Sequence, residues 1–394
     1  MENSQSLFVV LDRQNNQTKP EQPTKLIVSL KKISKSEEEI RPKKKLKMST
    51  MNAPAKLDLV SLPREILLII FKYLDLKTIG KCATLCSRFY NISKDGSLYK
   101  NVSLQYNMNI KLVASLVERC TRPKEIHIMY KFYNGSDSPE TRDYSEFNEY
   151  VQILLRKCGE HVKTLEFDSC RDDKTLECIA DCVNLEELQL YRCKGTFTTL
   201  HLLSTLRKIR FLSCHFPPKT VNNLIKNNED LREISLMSNY TVNANEISEI
   251  LSKHNPNVEN LDLSENRPLR SQNFKYLARL TKLRVLEMWN GPGCDNDPDP
   301  DAIQHLAAGC PYLEKLVLTG RKEITDDNLI PALHLFTRMK SLSLKGVWIT
   351  IRSCREACLT LPLLEELDVF KCSKIKKAQV TQLQKEFKEI RISC

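Results

Sequence analysis

The sequence predicts an α/β protein: a small all-helical segment followed by a long solenoid in which short strands and helices alternate. Two observations carry that expectation. The first is a spaced apolar pattern, apolar-x-x-apolar-x-apolar, that returns from Tyr99 to the last residues. The second is Asp58–Leu104, a stretch that up to Leu98 does not share the pattern and reads as short helices.

The repeat occurs as Val162/Leu165/Phe167, Leu185/Leu188/Leu190, Leu206/Ile209/Phe211, Leu231/Ile234/Leu236 and Val258/Leu261/Leu263. It continues as Leu283/Leu286/Met288, Leu313/Leu316/Leu318, Met339/Leu342/Leu344, Leu364/Leu367/Val369 and Phe387/Ile390/Ile392. Tyr99/Val102/Leu104 and an incomplete copy at Ile126/Ile128 precede these. From Val162 on, successive starts are 21 to 30 residues apart, and Cys or Asn often stands three residues after the last apolar position. That is the signature of leucine-rich repeats. Alternating apolar residues of each strand point inward, so neighbouring coils stack into one continuous core. The pattern predicts a solenoid of about 12 coils over 99–394, with a parallel sheet on a concave face and helices on the convex face. Helices are expected at Lys174–Cys182, Thr220–Asn227, Glu246–His254 and Ala302–Gly309. Met129–Tyr150 and Trp289–Asp301 lengthen two repeats and read as insertions.

In Asp58–Leu104, proline at 63 suits a first helical turn. Leu62, Ile66, Ile70 and Leu74 form one row at four-residue spacing; Pro63, Leu67 and Phe71 form the next; Leu68 and Ile69 are apolar as well. A helix apolar nearly all round is buried on more than one side, and this one is too short to span a membrane. One face is therefore expected on its own short helices and the other against another protein. Asp75 or Thr78 is expected to cap a second helix carrying Ile79, Cys82, Ala83, Leu85, Cys86 and Phe89 on one face.

The 394 residues have a formal net charge of +11, of which residues 1–56 contribute +6. The folded body is thus only mildly basic, which argues against a nucleic-acid-binding body. Residues 1–56, rich in Lys, Glu, Gln, Asn, Ser and Pro, read as a disordered basic tail. Within it Arg41, Lys43, Lys44, Lys45 and Lys47 form a compact run, either a nuclear localisation signal or a solvated charge cluster. With no apolar leader and 15 scattered cysteines, the expected setting is cytoplasmic and/or nuclear, with the cysteines free and buried.

No Ser/His/Asp order, phosphate-binding glycine loop or other catalytic constellation is present, so the sequence reads as a non-catalytic chain without cofactors. Cys178/Cys182 and Cys354/Cys358 have helix-face spacing but no second ligand pair, and read as structural thiols rather than zinc ligands. Asp295, Asp297, Asp299 and Asp301 alternate as in a calcium loop, but the sixth position is not glycine and the twelfth is Leu306. Strand positions between the apolar ones mix Glu/Asp with Lys/Arg, unlike a phosphate-backbone groove. If the concave face reads a partner, Tyr191, Arg192, Arg210, Trp289 and Phe370 are the candidate substrate-binding residues, because large aromatics and arginine dominate binding hot spots.

Residues 57–104 resemble an F-box. The resemblance rests on Leu62-Pro63, Glu65-Ile66-Leu67, Ile70-Phe71, Leu74, Leu85-Cys86, Arg88-Phe89 and Leu98-Tyr99-Lys100, with Phe89 and Tyr99 standing where the family often has tryptophan. Repeats with cysteine after the strand and phrases such as Cys310-Pro311-Tyr312-Leu313 are similar to those of F-box leucine-rich repeat proteins. The resemblance implies a substrate-recognition subunit of a Skp–cullin–F-box ubiquitin ligase. The Skp adaptor would be bound through Leu62, Pro63, Ile66, Leu67, Ile70 and Phe71; the repeats would hold an unidentified protein substrate; cullin and RING subunits would join through the adaptor. The alternatives that the sequence leaves open are a non-degradative nuclear scaffold and a nucleic-acid-associated repeat protein.

Overall fold

The computed structural model describes residues 59–130, 143–217, 219–267, 269–289 and 299–394. The tail at 1–56 with its basic run, most of the 129–150 and 289–301 insertions, and Asp295 and Asp297 lie outside these residues. Two compact units divide at Leu98/Tyr99.

The first unit is helical. Helix α1 (Arg64–Lys72) begins directly after Pro63 and places Glu65 in its first turn and Lys72 in its last, which suits the helix dipole. Helix α2 (Leu76–Ala83) is capped by Asp75, whose carboxylate accepts from the Thr78 N–H at 2.8 Å. That backbone hydrogen bond holds the Asp75 carboxyl below its ordinary range. The single second helix expected from the apolar spacing is in fact two. Cys86 takes an extended conformation and its sulfur accepts from the Phe89 N–H, so α3 (Ser87–Ser93) starts afresh. Apolar periodicity continued across the break and concealed it; the break leaves Leu85 40% exposed. Helix α3 packs on α1 through an edge-to-face contact of Phe71 with Phe89, ring centres 5.5 Å apart. Two further ties fix α1: Arg88 donates to the Leu62 carbonyl at 2.6 Å, and Arg64 pairs with Asp95 at 2.5 Å.

The second unit is a twelve-stranded parallel sheet whose strand order follows the chain. The strands are β1 (Asn101–Gln105), β2 (Glu125–Met129), β3 (Thr164–Asp168), β4 (Glu187–Tyr191), β5 (Lys208–Leu212) and β6 (Glu233–Ser235). They continue with β7 (Asn260–Asp262), β8 (Val285–Glu287), β9 (Lys315–Val317), β10 (Ser341–Ser343), β11 (Glu366–Asp368) and β12 (Arg391–Ser393). The register aligns like with like: Leu165, Leu188, Ile209, Ile234, Leu261, Leu286, Leu316, Leu342, Leu367 and Ile392 stand side by side, all buried. Between strands come α4 (Ile110–Arg119), α5 (Ser145–Cys158), α6 (Asp173–Glu177), α7 (Thr220–Lys226), α8 (Ala244–His254) and α9 (Phe274–Leu277). After these follow α10 (Ala302–Gly309), α11 (Asp326–Leu333), α12 (Ile351–Thr360) and α13 (Lys377–Glu386). From α7 to α13 each helix packs on its successor, the layer opposite the sheet. Helix α5 starts at Ser145, inside the stretch read as an insertion. Phe147, Val151, Leu154, Leu155 and Cys158 supply it with a buried stripe at helical spacing.

Side chains close each turn of the coil. After the strand, the Cys193 and Cys214 thiols donate to the Phe167 and Leu190 carbonyls, and the amides of Asn239 and Asn266 to those of Phe211 and Leu236. Cys372 does the same to Leu344 at 3.0 Å. Asn239 also accepts from the Cys214 N–H at 2.8 Å. The residue just before this position has positive φ in eight coils: Ser169, Arg192, Ser213, Ser238, Glu265, Gly320, Gly346 and Lys371. A second ladder precedes the strands. The Asn228 amide donates to Leu203 at 2.8 Å and its oxygen accepts from the Leu206 N–H at 2.8 Å; Asn255 donates to Asn228 at 2.7 Å. The Cys158 and Cys310 thiols fill the same role toward Cys120 and Leu277.

The Cys178 and Cys354 thiols donate to carbonyls of their own helical segments, Lys174 and Thr350. Burial pushes the thiols of Cys170, Cys182 and Cys310 up to about 12, so all three stay protonated at neutral pH. Among the described residues no group of three His, Cys, Asp or Glu side chains is placed to hold a metal ion, and no helix is long and apolar enough to cross a membrane.

Three outcomes follow for stability. Asn239→Ala strands buried donors and acceptors of two coils, and is expected to cost roughly 2–4 kcal/mol in denaturant unfolding. A Cβ at Gly309 would lie 2.0 Å from the Ala278 carbonyl oxygen, whereas one at Gly346 meets only ordinary contacts but a φ of +65°. Gly309→Ala should therefore lower the melting temperature far more than Gly346→Ala, which costs about 1 kcal/mol. Third, the Glu166 carboxylate, 2.8 Å from His127, raises the imidazole pKa, with Glu125 and Glu187 adding to it. A raised folded-state pKa stabilises below the unfolded value of about 6.5, and that contribution is lost as pH climbs through the folded value. Comparing melting curves across that window should show a slope that His127→Gln flattens.

Candidate functional site

Two surfaces qualify, one on each unit. On the helical unit, Leu67 and Phe71 are buried, so the α1 row they belong to serves the interior. Leu62 and Ile70 are half-buried, while Pro63 and Ile66 are exposed. Ile69 and Tyr73 are exposed too, Tyr73 by 80%. Ile66, Ile69, Ile70 and Tyr73 fall at i, i+3, i+4 and i+7, one continuous stripe on one side of the helix. Among the described residues of this unit, Leu85 and Tyr90, from the turn before α3 and from α3 itself, are the other large apolar side chains left open. Of the six residues singled out from the sequence, four therefore reach the surface at least in part and two pack inside. Ile69 and Tyr73 were not singled out, although their helical spacing from Ile66 marks the stripe.

On the solenoid, the open face of the sheet carries charge pairs that step from coil to coil. Lys208 sits between Glu187 and Glu233, at 3.3 and 3.1 Å. Tyr191 and Arg192 are engaged locally: the tyrosine hydroxyl donates to Gln189 at 2.5 Å, and the guanidinium pairs with Asp168 at 2.5 Å. Arg210 is exposed on β5. Trp289 and Phe370, 45% and 46% exposed, line a groove of about 960 Å³ that runs over the later strands. The structure thus brings Trp289 and Phe370 together and leaves Tyr191, Arg192 and Arg210 outside that groove.

Most charge inside the groove is already matched. Lys315 pairs with Glu287 at 2.7 Å, Lys345 with Asp368 at 2.9 Å, and Arg391 with Glu366 at 2.6 Å. Asp262 accepts from the Ser235 hydroxyl and the Ser264 N–H. At the edge, Trp348 is 45% exposed, with the Lys322 and Lys374 ammonium groups 5.8 and 5.5 Å from its ring centre. Trp348 escaped the strand-based reading because it stands four residues beyond Leu344, the last apolar position of that coil's repeat pattern. Lys322 lines the groove as well. The arrangement presents aromatic faces and charged groups suited to binding rather than bond-making.

A family model described as F-box-like matches residues 59–105. The chain is 24% identical over 273 residues to the F-box/LRR-repeat protein 4 of Bos taurus; the alignment spans 65% of this chain but only 37% of that protein. Two solved structures overlap the chain loosely. An internalin from Listeria monocytogenes aligns with a TM-score of 0.47 at 15% identity, covering 73% of this chain and 76% of its own. A TLR13–ssRNA13 complex aligns with a TM-score of 0.38 at 16% identity, covering 76% and 52%. Residues 59–105 are thus an F-box-like domain, followed in the same chain by leucine-rich repeats.

Proposed function

We propose that this chain is the non-catalytic substrate-recognition subunit of a Skp–cullin–F-box ubiquitin ligase. The helical unit docks on a Skp-type adaptor and through it on cullin and RING subunits, while the repeats hold a protein substrate. The observation that carries this reading is the stripe of exposed Ile66, Ile69 and Tyr73 with half-buried Ile70 within the F-box-like segment. An apolar helix row left open on a unit this small suits a partner surface. Joining the two surfaces in one chain raises the concentration of substrate lysines near the ubiquitin-charged enzyme, which is the whole chemical contribution required. The expected setting is the cytoplasm or nucleus.

The test is co-elution of the full chain with a purified Skp adaptor. Ile66→Asp combined with Tyr73→Asp should abolish it while the far-UV circular dichroism stays unchanged, since truncation of central interface residues alone costs about 2 kcal/mol or more. Leu62→Ala with Pro63→Ala should weaken it likewise. Leu67→Ala instead should lower the stability of the helical unit, by roughly 2–5 kcal/mol. Co-elution undiminished in the Ile66/Tyr73 double variant would sink the adaptor assignment.

A further inference from the structure

We propose that the groove on the later strands binds an extended acidic peptide segment, its carboxylates meeting Lys322, Lys371 and Lys374 and its apolar side chains meeting Trp289, Trp348 and Phe370. The inference deepens the reading that the repeats hold a protein substrate, and it rests on that reading.

Charge matching inside the groove carries it. The carboxylates Glu287, Glu366 and Asp368 each have a cation within 2.9 Å, and Asp262 has two hydrogen-bond donors. The cations Lys315, Lys345 and Arg391 are used in the same pairs. Among the described residues, Lys322, Lys371 and Lys374 have no carboxylate partner; each stands over an aromatic ring instead. Lys322 and Lys374 flank Trp348, and Lys371 lies 5.3 Å from the Phe370 ring centre. A cation over a ring face is attracted to it but not neutralised. All three lysines are exposed, as are Trp289, Trp348 and Phe370. The surface therefore offers positive charge without counter-charge, interleaved with uncovered aromatic area.

That combination selects its occupant. A nucleic-acid backbone carries a charge at every nucleotide, so some of its phosphates would have to lie beside Asp262, Glu287, Glu366 and Asp368 rather than beside the three unmatched lysines. A phosphorylated residue is best held by arginine forks converging on one point. Here the unmatched charges are lysines, point charges distributed beside two rings, Trp348 and Phe370. Several glutamates or aspartates spaced along an extended chain, with apolar residues between them, match both features.

Fluorescence anisotropy with the full chain and a short labelled peptide of alternating glutamate and leucine tests this. Binding is expected, weakening as salt rises. Lys322→Glu combined with Lys374→Glu should reduce affinity at least about tenfold, and Phe370→Ala roughly tenfold, the change that 1.4 kcal/mol produces. Lys226→Glu, on α7 in the helical layer, should change nothing. Three results would each overturn the inference: affinity no higher than for a lysine–leucine peptide, equal binding by the double lysine variant, or a phosphoserine–leucine peptide binding more than tenfold tighter than the glutamate one. Adaptor co-elution and circular dichroism on the same preparations separate the two proposals. Peptide binding lost with adaptor binding kept defeats this inference alone; the reverse defeats the ligase reading and leaves the groove assignment standing.

Discussion

A coil that turns back on itself every 21 to 30 residues buries backbone groups that no helix or sheet ladder can reach. Everything else in the solenoid depends on how those groups are satisfied. Asn239 is the clearest case: one side chain donates to Phe211 and Met237 and accepts from Cys214, bonding a turn to the preceding coil. A cysteine in the same slot does less, giving one weak donor, yet Cys193, Cys214 and Cys372 each reach the carbonyl of the coil before. The thiol is apolar enough to be buried without penalty and still offers a hydrogen. This explains why so many cysteines occur in a chain whose described cysteines form no disulfide.

The same constraint sets which side chains are free to do something else. Inward positions must be apolar and the ladder positions must be Asn or Cys, with occasional replacements such as the buried Arg321, which donates to Leu269. Outward strand positions, like exposed turn positions, are unconstrained by the core. On this surface most of them pair across neighbouring coils, and those pairs are worth little individually. What distinguishes one stretch of the face from another is therefore the side chains left without a match. In the helical unit the logic is parallel: α1 spends Leu67 and Phe71 on its own interior, and among the described residues Ile66, Ile69 and Tyr73 are left exposed.

Much of this was legible in the sequence for a physical reason. Stacked coils repeat the same burial problem, so the solution recurs at a fixed spacing, and Leu165, Leu188 and Ile209 announce their own register. The break at Cys86 was not legible, because an apolar period runs through it and only the extended backbone of that residue reveals the new start. Trp289 and Phe370 could be named in advance as large residues beside strands. Lys322, Lys371 and Lys374 could not, since being unmatched depends on what lies in adjacent coils, not on local spacing. The split of α1 into an inner and an outer row was half visible: periodicity gave the rows, but only packing against Phe89 decided which faced inward.

Strand order that follows chain order also has a consequence for time. Each strand finds its partner within a few tens of residues, so loop closure is cheap at every step and no distant segment has to be awaited. A chain emerging from the ribosome can add one coil to the last without revisiting earlier choices. Ordering can thus propagate in the direction of synthesis, and the helical unit, which precedes the first coil, leaves the ribosome before the face that must select a ligand.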